Sequence, residues 1–215
     1  MNRFDAKSFI NFLYKIEKLK SVPRHCVTAD GVTENVAAHS WRVAVMALLL
    51  KDEIEDVDMD KVIRMCLIHD IGEAVTGDIP TFDKTTKHEE IEKQAVDNLL
   101  KNLPDGLYQE FSELFAEMEA LETGEAKVYK ALDKLEAVIQ HNESDPGTWL
   151  PLEFDLQKTY AAKSVLGFPF LEKLQDQLVS DTDEITAEYR ARQKQESGAA
   201  GQNPLSAAVP KQFPR

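Results

Sequence analysis

The segment 69–80 concentrates side chains that could do chemistry. His69 and Asp70 stand side by side at the end of an apolar run, and two more carboxylates, Glu73 and Asp78, follow within nine residues. Burying so many ionisable groups beside a core helix costs several kcal/mol unless something compensates. A bound divalent cation compensates most readily, because it prefers these ligand types and brings the opposite charge. The segment therefore predicts a metal site.

Two more polar residues lie on apolar helical stripes elsewhere in the chain. His39 falls on the stripe that contains Val36 and Val43, and Asp133 lies between apolar residues of a later helix. Taken alone, His39 could be an ordinary hydrogen-bonded core histidine, and Asp133 could pair with a neighbouring lysine on a solvated face. A His-Asp dipeptide is also a weak signal by itself. The joint pattern of His39, then His69 and Asp70, then Asp133 favours one shared site.

Composition predicts one helical domain. The 215 residues are 43% hydrophobic and 29% charged, which is ordinary for a globular protein, and they include only nine glycines and nine prolines. Few turn formers and almost no period-two alternation predict an all-α protein. From residue 197 onward Gly, Ala, Pro, Gln and Ser prevail with no apolar period. We therefore expect a domain over 1–196 and a disordered tail over 197–215.

Apolar stripes and turn signals give the helices approximate bounds. A loop is expected over 77–82, and Gly124 is expected to interrupt the helices on either side of it. The stripes predict helices over about 9–23, 33–53, 58–69, 91–100, 107–121, 128–139 and within 151–195.

Charge and cysteine content exclude several classes of partner. The formal net charge of −13 argues against binding of a nucleic-acid polymer, which needs a basic surface. Two cysteines, Cys26 and Cys66, form neither a disulfide framework nor a metal-finger spacing. The chain shows no hydrophobic signal segment and no apolar run of the ~18 residues that a membrane span requires. We therefore expect a cytoplasmic protein with no membrane partner.

Longer motifs carry a family resemblance. Four segments are concerned: 33–40 (TENVAAHS), 69–80 (HDIGEAVTGDIP), 87–95 (KHEEIEKQA) and 125–127 (EAK). Through these segments the chain resembles HD-domain metal-dependent phosphohydrolases, whose signature is H…HD…D on a helical bundle. Within that superfamily these segments are closely similar to the 5′-deoxynucleotidase branch. The resemblance covers about residues 5–175.

The resemblance implies a ligand set for a divalent metal ion. The family's ligands fall on His39, His69, Asp70 and Asp133. Two imidazoles and two carboxylates leave positions open for water and a phosphate oxygen, and they suit Mn²⁺, Co²⁺, Fe²⁺, Ni²⁺ or Zn²⁺ better than Mg²⁺.

Catalytic roles are implied for three further residues. The acid that matches Glu73 orients or deprotonates the attacking water, and the acid that matches Asp78 lies near the substrate. Arg24 matches an arginine that grips the substrate phosphate, a task suited to a planar bidentate donor. Spacing alone would equally allow Glu73 to be exposed at a helix end, Asp78 to form a turn and Arg24 to lie on the surface.

Substrate contacts are implied for a larger set of residues. The residues concerned are Arg24, His25, Asp70, Asp78, Ile79, Pro80, Thr81 and Asp133. The branch places a tryptophan at or just after the arginine, near the deoxyribose, whereas this chain has His25. We expect His25 to take part of that role, which leaves selectivity against a ribose 2′-hydroxyl open.

The implied activity is removal of the 5′-phosphate from (deoxy)ribonucleoside 5′-monophosphates, giving nucleoside and phosphate. The resemblance also implies a homodimer. Two alternatives stay open at this point. One is an HD phosphohydrolase for a dNTP, a cyclic nucleotide or an alarmone, and the other is a non-catalytic regulatory protein that binds metal or nucleotide.

Overall fold

A computed structural model describes residues 4–200 as a helical bundle with one small antiparallel sheet, which confirms the predicted fold class. In chain order the helices are α1 (Ala6–Ile16), α2 (Val36–Leu49), α3 (Met59–Ile68), α4 (Glu73–Thr76), α5 (Thr86–Leu100), α6 (Asp105–Ala120), α7 (Gly124–Glu143), α8 (Glu153–Thr159) and α9 (Pro169–Ala200). Two 3-10 turns span Glu17–Lys20 and Pro146–Thr148.

The sheet is a hairpin that the sequence reading missed. Strand β1 (Pro23–Val27) pairs antiparallel with β2 (Thr33–Asn35), so that Pro23 faces Asn35 and Val27 faces Thr33. Strands of five and three residues are too short to show a clear period-two pattern. Gly31, with a φ of 76°, occupies the turn in a conformation that favours glycine.

The centre of the bundle is built by α2, α3 and α7, which pack on one another. Leu132, Leu135 and Val138 of α7 are fully buried, as are Val43 of α2 and Val62 of α3. Burial of each such side chain stabilises the fold by about 1.5–3 kcal/mol. The packing brings the polar residues on the same helical stripes towards one point between the three helices.

Several predicted boundaries shift. The second helix ends at Leu49 rather than near residue 53, and α7 begins at Gly124, where Thr123 caps it by accepting from the backbone N–H of Ala126 at 3.2 Å. The last helix continues to Ala200, so the boundary predicted at 196 falls inside a helix. Most of the predicted tail, 201–215, lies outside the described residues. No helix in the part of the chain that the structure describes is long and apolar enough to span a membrane.

Gly72 allows α5 to approach the end of α3 closely. A Cβ at this position would lie 2.7 Å from Val96 Cγ2 and 3.4 Å from the backbone oxygen of Glu92. We expect Gly72→Ala to lower the free energy of unfolding by about 1–3 kcal/mol, since the neighbouring helix must shift. Chemical denaturation checks this, with Gly106→Ala as control because a Cβ there meets no atom within 4 Å. Equal stability of the two variants would contradict the prediction.

Candidate metal centre and adjoining cleft

The structure brings together the four residues expected to bind metal. His39 lies on α2, His69 caps the end of α3, Asp70 follows it, and Asp133 lies on α7. His39 Nε2 lies 3.3 Å from His69 Nε2, 3.2 Å from Asp133 Oδ1 and 3.8 Å from Asp70 Oδ2. His69 Nε2 lies 3.1 Å from Asp70 Oδ2 and 3.7 Å from Asp133 Oδ1. Ligands about 2.1 Å from a common ion are separated by about 3.0–3.4 Å, so these donors fit one cation with slight contraction.

Hydrogen bonds decide which nitrogen of each histidine faces this point. His39 Nδ1 contacts the carboxylate of Glu136, and His69 Nδ1 lies 2.8 Å from the backbone oxygen of Cys66. Both partners are acceptors, so each Nδ1 carries a proton and each Nε2 offers its lone pair. The two facing lone pairs repel each other and the two neighbouring carboxylates. A proton or a metal ion between them is needed to relieve this repulsion.

The pKa values of His69 and Asp133 also indicate that a positive charge is favoured at this point. Burial lowers the pKa of His69, but the carboxylates of Asp70 and Asp133 outweigh burial and raise it to about 10. Burial would raise the pKa of Asp133, yet Lys130 and the two histidines hold it well below its usual range. Both aspartates are therefore ionised and available to a cation.

A second group of buried residues that could bind a metal ion also includes His39, but its carboxylates are already neutralised by other partners. Ligand atoms of Glu34, His39 and Glu136 lie within 4.8 Å of one another, as do those of His39, His69 and Asp70. Each glutamate already has a cationic partner, since Arg24 Nε lies 3.0 Å from Glu34 and Arg42 Nε donates to Glu136 at 2.7 Å. The group at His69 and Asp70 is thus the better candidate for a metal.

Asp133 serves two partners through its two oxygens. Oδ1 faces the histidines, and Oδ2 accepts from Lys130 Nζ at 2.7 Å. The pairing with a lysine that the sequence allowed is therefore present, but Asp133 does not lie on a solvated face, because its side chain is only 16% exposed.

Arg24 reaches the candidate metal centre from β1. Its Nη1 lies 3.9 Å from Asp70 Oδ2, and its Nε lies beside buried Glu34 of β2. Cys26, on the same side of the strand, donates to the same Glu34 oxygen at 3.0 Å. The hairpin thus fixes a guanidinium next to the aspartate, and Arg24 is neither on the surface nor free to move far.

Glu73 is buried at the first turn of α4. The alternative that the spacing allowed, exposure at a helix end, is therefore wrong. Its Oε2 is inaccessible to solvent and has no hydrogen-bond partner among the described residues. Burial, together with the nearby acids Asp70, Asp78 and Glu92, raises the pKa of Glu73 to about 10. A buried carboxyl with an unpaired oxygen is costly unless it has another task.

A cleft with a volume of about 140 Å³ adjoins these groups. Asp70, Glu73 and Asp133 line this cleft, as does Asp78, whose pKa is raised mainly by burial. The structure places every residue that the resemblance implied for substrate contact on this lining: Arg24, His25, Asp70, Asp78, Ile79, Pro80, Thr81 and Asp133. Thr81 is further tied to the opposite wall by a 2.8 Å hydrogen bond to the Tyr160 hydroxyl.

Four residues around the site were not predicted from the sequence. Glu34 and Glu136 are buried acids that contact Arg24 and His39, while Glu153 and Gln157 are buried in the cleft wall. Glu136 lies three residues after Asp133 and so shares its face of α7, which was an available signal. The other three had no distinguishing pattern.

Comparison with known proteins assigns the family. A family model of the HD domain matches residues 16–170. The chain belongs to the HD-domain family. This confirms the resemblance inferred from the H…HD…D pattern.

Relatives of this HD-domain protein carry the same name, 5′-deoxynucleotidase HDDC2. The 5′-deoxynucleotidase HDDC2 of Bos taurus is 37% identical over 142 residues, which cover 64% of this chain and 68% of that protein. The protein of the same name from Homo sapiens is 36% identical over 142 residues, covering 64% and 69%. A crystal structure of a protein from Magnetospirillum magnetotacticum MS-1, named a predicted metal-dependent phosphohydrolase, superimposes with a TM-score of 0.74. The Magnetospirillum protein is 33% identical to this chain, and the match covers 84% of this chain and 96% of the Magnetospirillum protein.

Proposed function

We propose that this HD-domain protein is a metal-dependent 5′-deoxynucleotidase, which hydrolyses nucleoside 5′-monophosphates to nucleoside and phosphate. One observation carries the proposal: two histidine lone pairs and two ionised aspartates converge beside a cleft that also holds Arg24 and Glu73. The names of the curated relatives support the same activity.

His39, His69, Asp70 and Asp133 would hold the cation. Two imidazole nitrogens with two carboxylate oxygens suit Mn²⁺, Co²⁺, Fe²⁺, Ni²⁺ or Zn²⁺ better than Mg²⁺, which prefers oxygen ligands alone. When bound, such an ion lowers the pKa of a coordinated water and stabilises charge on a phosphoryl oxygen. It would also satisfy the facing lone pairs without a proton on His69.

Three residues would act on water and substrate. Arg24, held beside Asp70 by Glu34, would bind non-bridging phosphate oxygens and stabilise charge that develops on them. The unpaired oxygen of Glu73 would orient the attacking water, and it would accept the proton once a bound cation lowers the raised pKa of this carboxyl so that it ionises. Asp78, a partly buried acid with a raised pKa on the cleft lining, would protonate the leaving 5′-oxygen or position the sugar.

Glu136 should tune the binding of the cation through His39. Glu136→Gln leaves one acceptor oxygen for two donors, His39 Nδ1 and Arg42 Nε, so the imidazole loses a fixed orientation. We expect affinity for Mn²⁺ or Co²⁺ to fall about 10–100-fold in competition with a chelator. Glu143→Gln is the matched control, since Glu143 accepts from Arg42 Nη1 at the exposed end of the same network. Unchanged affinity in Glu136→Gln would contradict this role.

The experiment that tests the activity is phosphate release from paired 2′-deoxy and ribo 5′-monophosphates, with added Mn²⁺, Co²⁺ or EDTA. We expect release from the monophosphates with metal and none with EDTA. Release only from dNTPs, cyclic nucleotides or alarmones would replace the proposed substrate class. No release from any nucleotide with any metal would favour a non-catalytic protein.

The remaining expectations from the sequence stay predictions. They are homodimer formation, a cytoplasmic location and the identity of the physiological metal. Sedimentation analysis tests the first, and metal analysis of protein purified without added metal tests the last.

A further inference from the structure

One face of α8, together with Tyr160 directly after it, forms a wall of the cleft. Glu153, Leu156, Gln157 and Tyr160 follow one another at the helical spacing i, i+3, i+4 and i+7, and all four line the cleft. We call this set the α8 wall. The proposed reaction uses none of its members, and no predicted site residue lies on it.

Gln157 is the member that lacks a protein partner. It is 4% exposed, and the other two glutamines that are buried within residues 4–200, Gln140 and Gln175, donate to the backbone oxygens of Val27 and Lys158. The Gln157 carboxamide makes no hydrogen bond within residues 4–200, although it borders the open space of the cleft. The polar atoms of this amide are not among the fully enclosed unpaired ones, so the amide is reached from the cleft, and its donor and acceptor are both free for a ligand.

An aromatic pair borders the same cleft. His25 and Phe82 lie edge to face with ring centroids 5.4 Å apart, and Phe82 is 40% exposed. Buried Glu153 holds this region, because its Oε1 lies 3.1 Å from His141 Nε2 and 3.4 Å from His25 Nε2. The cleft thus offers a free amide together with exposed aromatic surface.

We propose that the α8 wall and the aromatic pair bind the nucleobase, with the Gln157 amide hydrogen-bonded to the base edge. This inference rests on the proposed function. A carboxamide presents a donor next to an acceptor, as base edges do, and it pairs with them bidentately. Exposed rings favour contact with a flat aromatic ligand. The buried carboxylate of Glu153 disfavours phosphate here, so the phosphate belongs at Arg24 and the base at α8.

The test compares substrates with and without a base. Values of kcat and KM are measured with Mn²⁺ for deoxynucleoside 5′-monophosphates and for 2-deoxyribose 5-phosphate, the latter as substrate or as competitive inhibitor. The variants are Gln157→Leu and the isosteric Gln157→Glu. Gln175→Leu is the matched control, since Gln175 is a buried glutamine of α9 whose Nε2 donates to the backbone oxygen of Lys158 and which does not line the cleft.

We expect Gln157→Leu to lower kcat/KM for nucleotides roughly five- to tenfold, mainly through KM, and to leave 2-deoxyribose 5-phosphate within about twofold. Gln157→Glu, which keeps an acceptor but loses the donor, should change the ranking of the bases. Equal effects on both substrate types, or no effect of either variant, would overturn the subsite. No phosphate release by the wild-type protein would instead overturn the proposed function, and the inference with it.

Discussion

Asp70→Ala is expected to abolish both cation binding and phosphate release. Asp70 Oδ2 lies 3.1 Å from His69 Nε2 and 3.8 Å from His39 Nε2, so it belongs to the proposed ligand cage. The substitution also removes the carboxylate beside Arg24. Loss of metal assistance is worth several kcal/mol, so we expect turnover to fall by about 10³-fold or more.

The measurement for Asp70→Ala pairs metal content after dialysis with phosphate release. Asp83→Ala is a suitable control, because Asp83 lies in the same 77–85 segment but outside the cleft lining. Full metal occupancy in Asp70→Ala would show that the cation is held elsewhere. The melting temperature must be recorded as well, since removing a buried charge changes stability in its own right.

Glu73→Gln is expected to separate the cation from the chemistry. Glu73 is buried with an unpaired oxygen, and the histidines and aspartates supply the cage without it. A glutamine keeps the volume and cannot accept a proton, so we expect metal content to stay near wild type while kcat falls about 10²–10⁴-fold.

The discriminating result for Glu73→Gln is the combination of the two measurements. Retained metal with lost turnover supports a base that acts on water. Loss of metal would instead make Glu73 a ligand and would end the division of roles. Glu92→Gln serves as control, because Glu92 is another acid near Glu73 but pairs with Lys84 at 2.6 Å.

The convergence of the proposed metal ligands was predictable in part, because these residues leave a local signature in the sequence. His39 interrupts an apolar stripe of α2, and His69 and Asp70 end the apolar run of α3. An ionisable group on a buried stripe needs a compensating partner, and that need is visible without coordinates. The convergence of the stripes depends on the packing of α2, α3 and α7, which periodicity alone does not give.

The residues that support the site were harder to predict. Arg24 and Glu34 meet only because a short hairpin pairs their strands, and short strands leave little pattern. Glu136 resembles an exposed acid in a charged helix, although it is fully buried against His39 and Arg42. Its spacing from Asp133 indicates a shared face of α7, but its partners His39 and Arg42 are identified only when α2 packs against α7.

The central claim is that His39, His69, Asp70 and Asp133 hold a cation on which dephosphorylation depends. The most direct measurement is phosphate release from a deoxynucleoside 5′-monophosphate by protein stripped with EDTA, followed by titration with Mn²⁺ or Co²⁺. We predict no release before titration and full activity at about one ion per chain. Release at the same rate before and after the addition of metal would contradict the account.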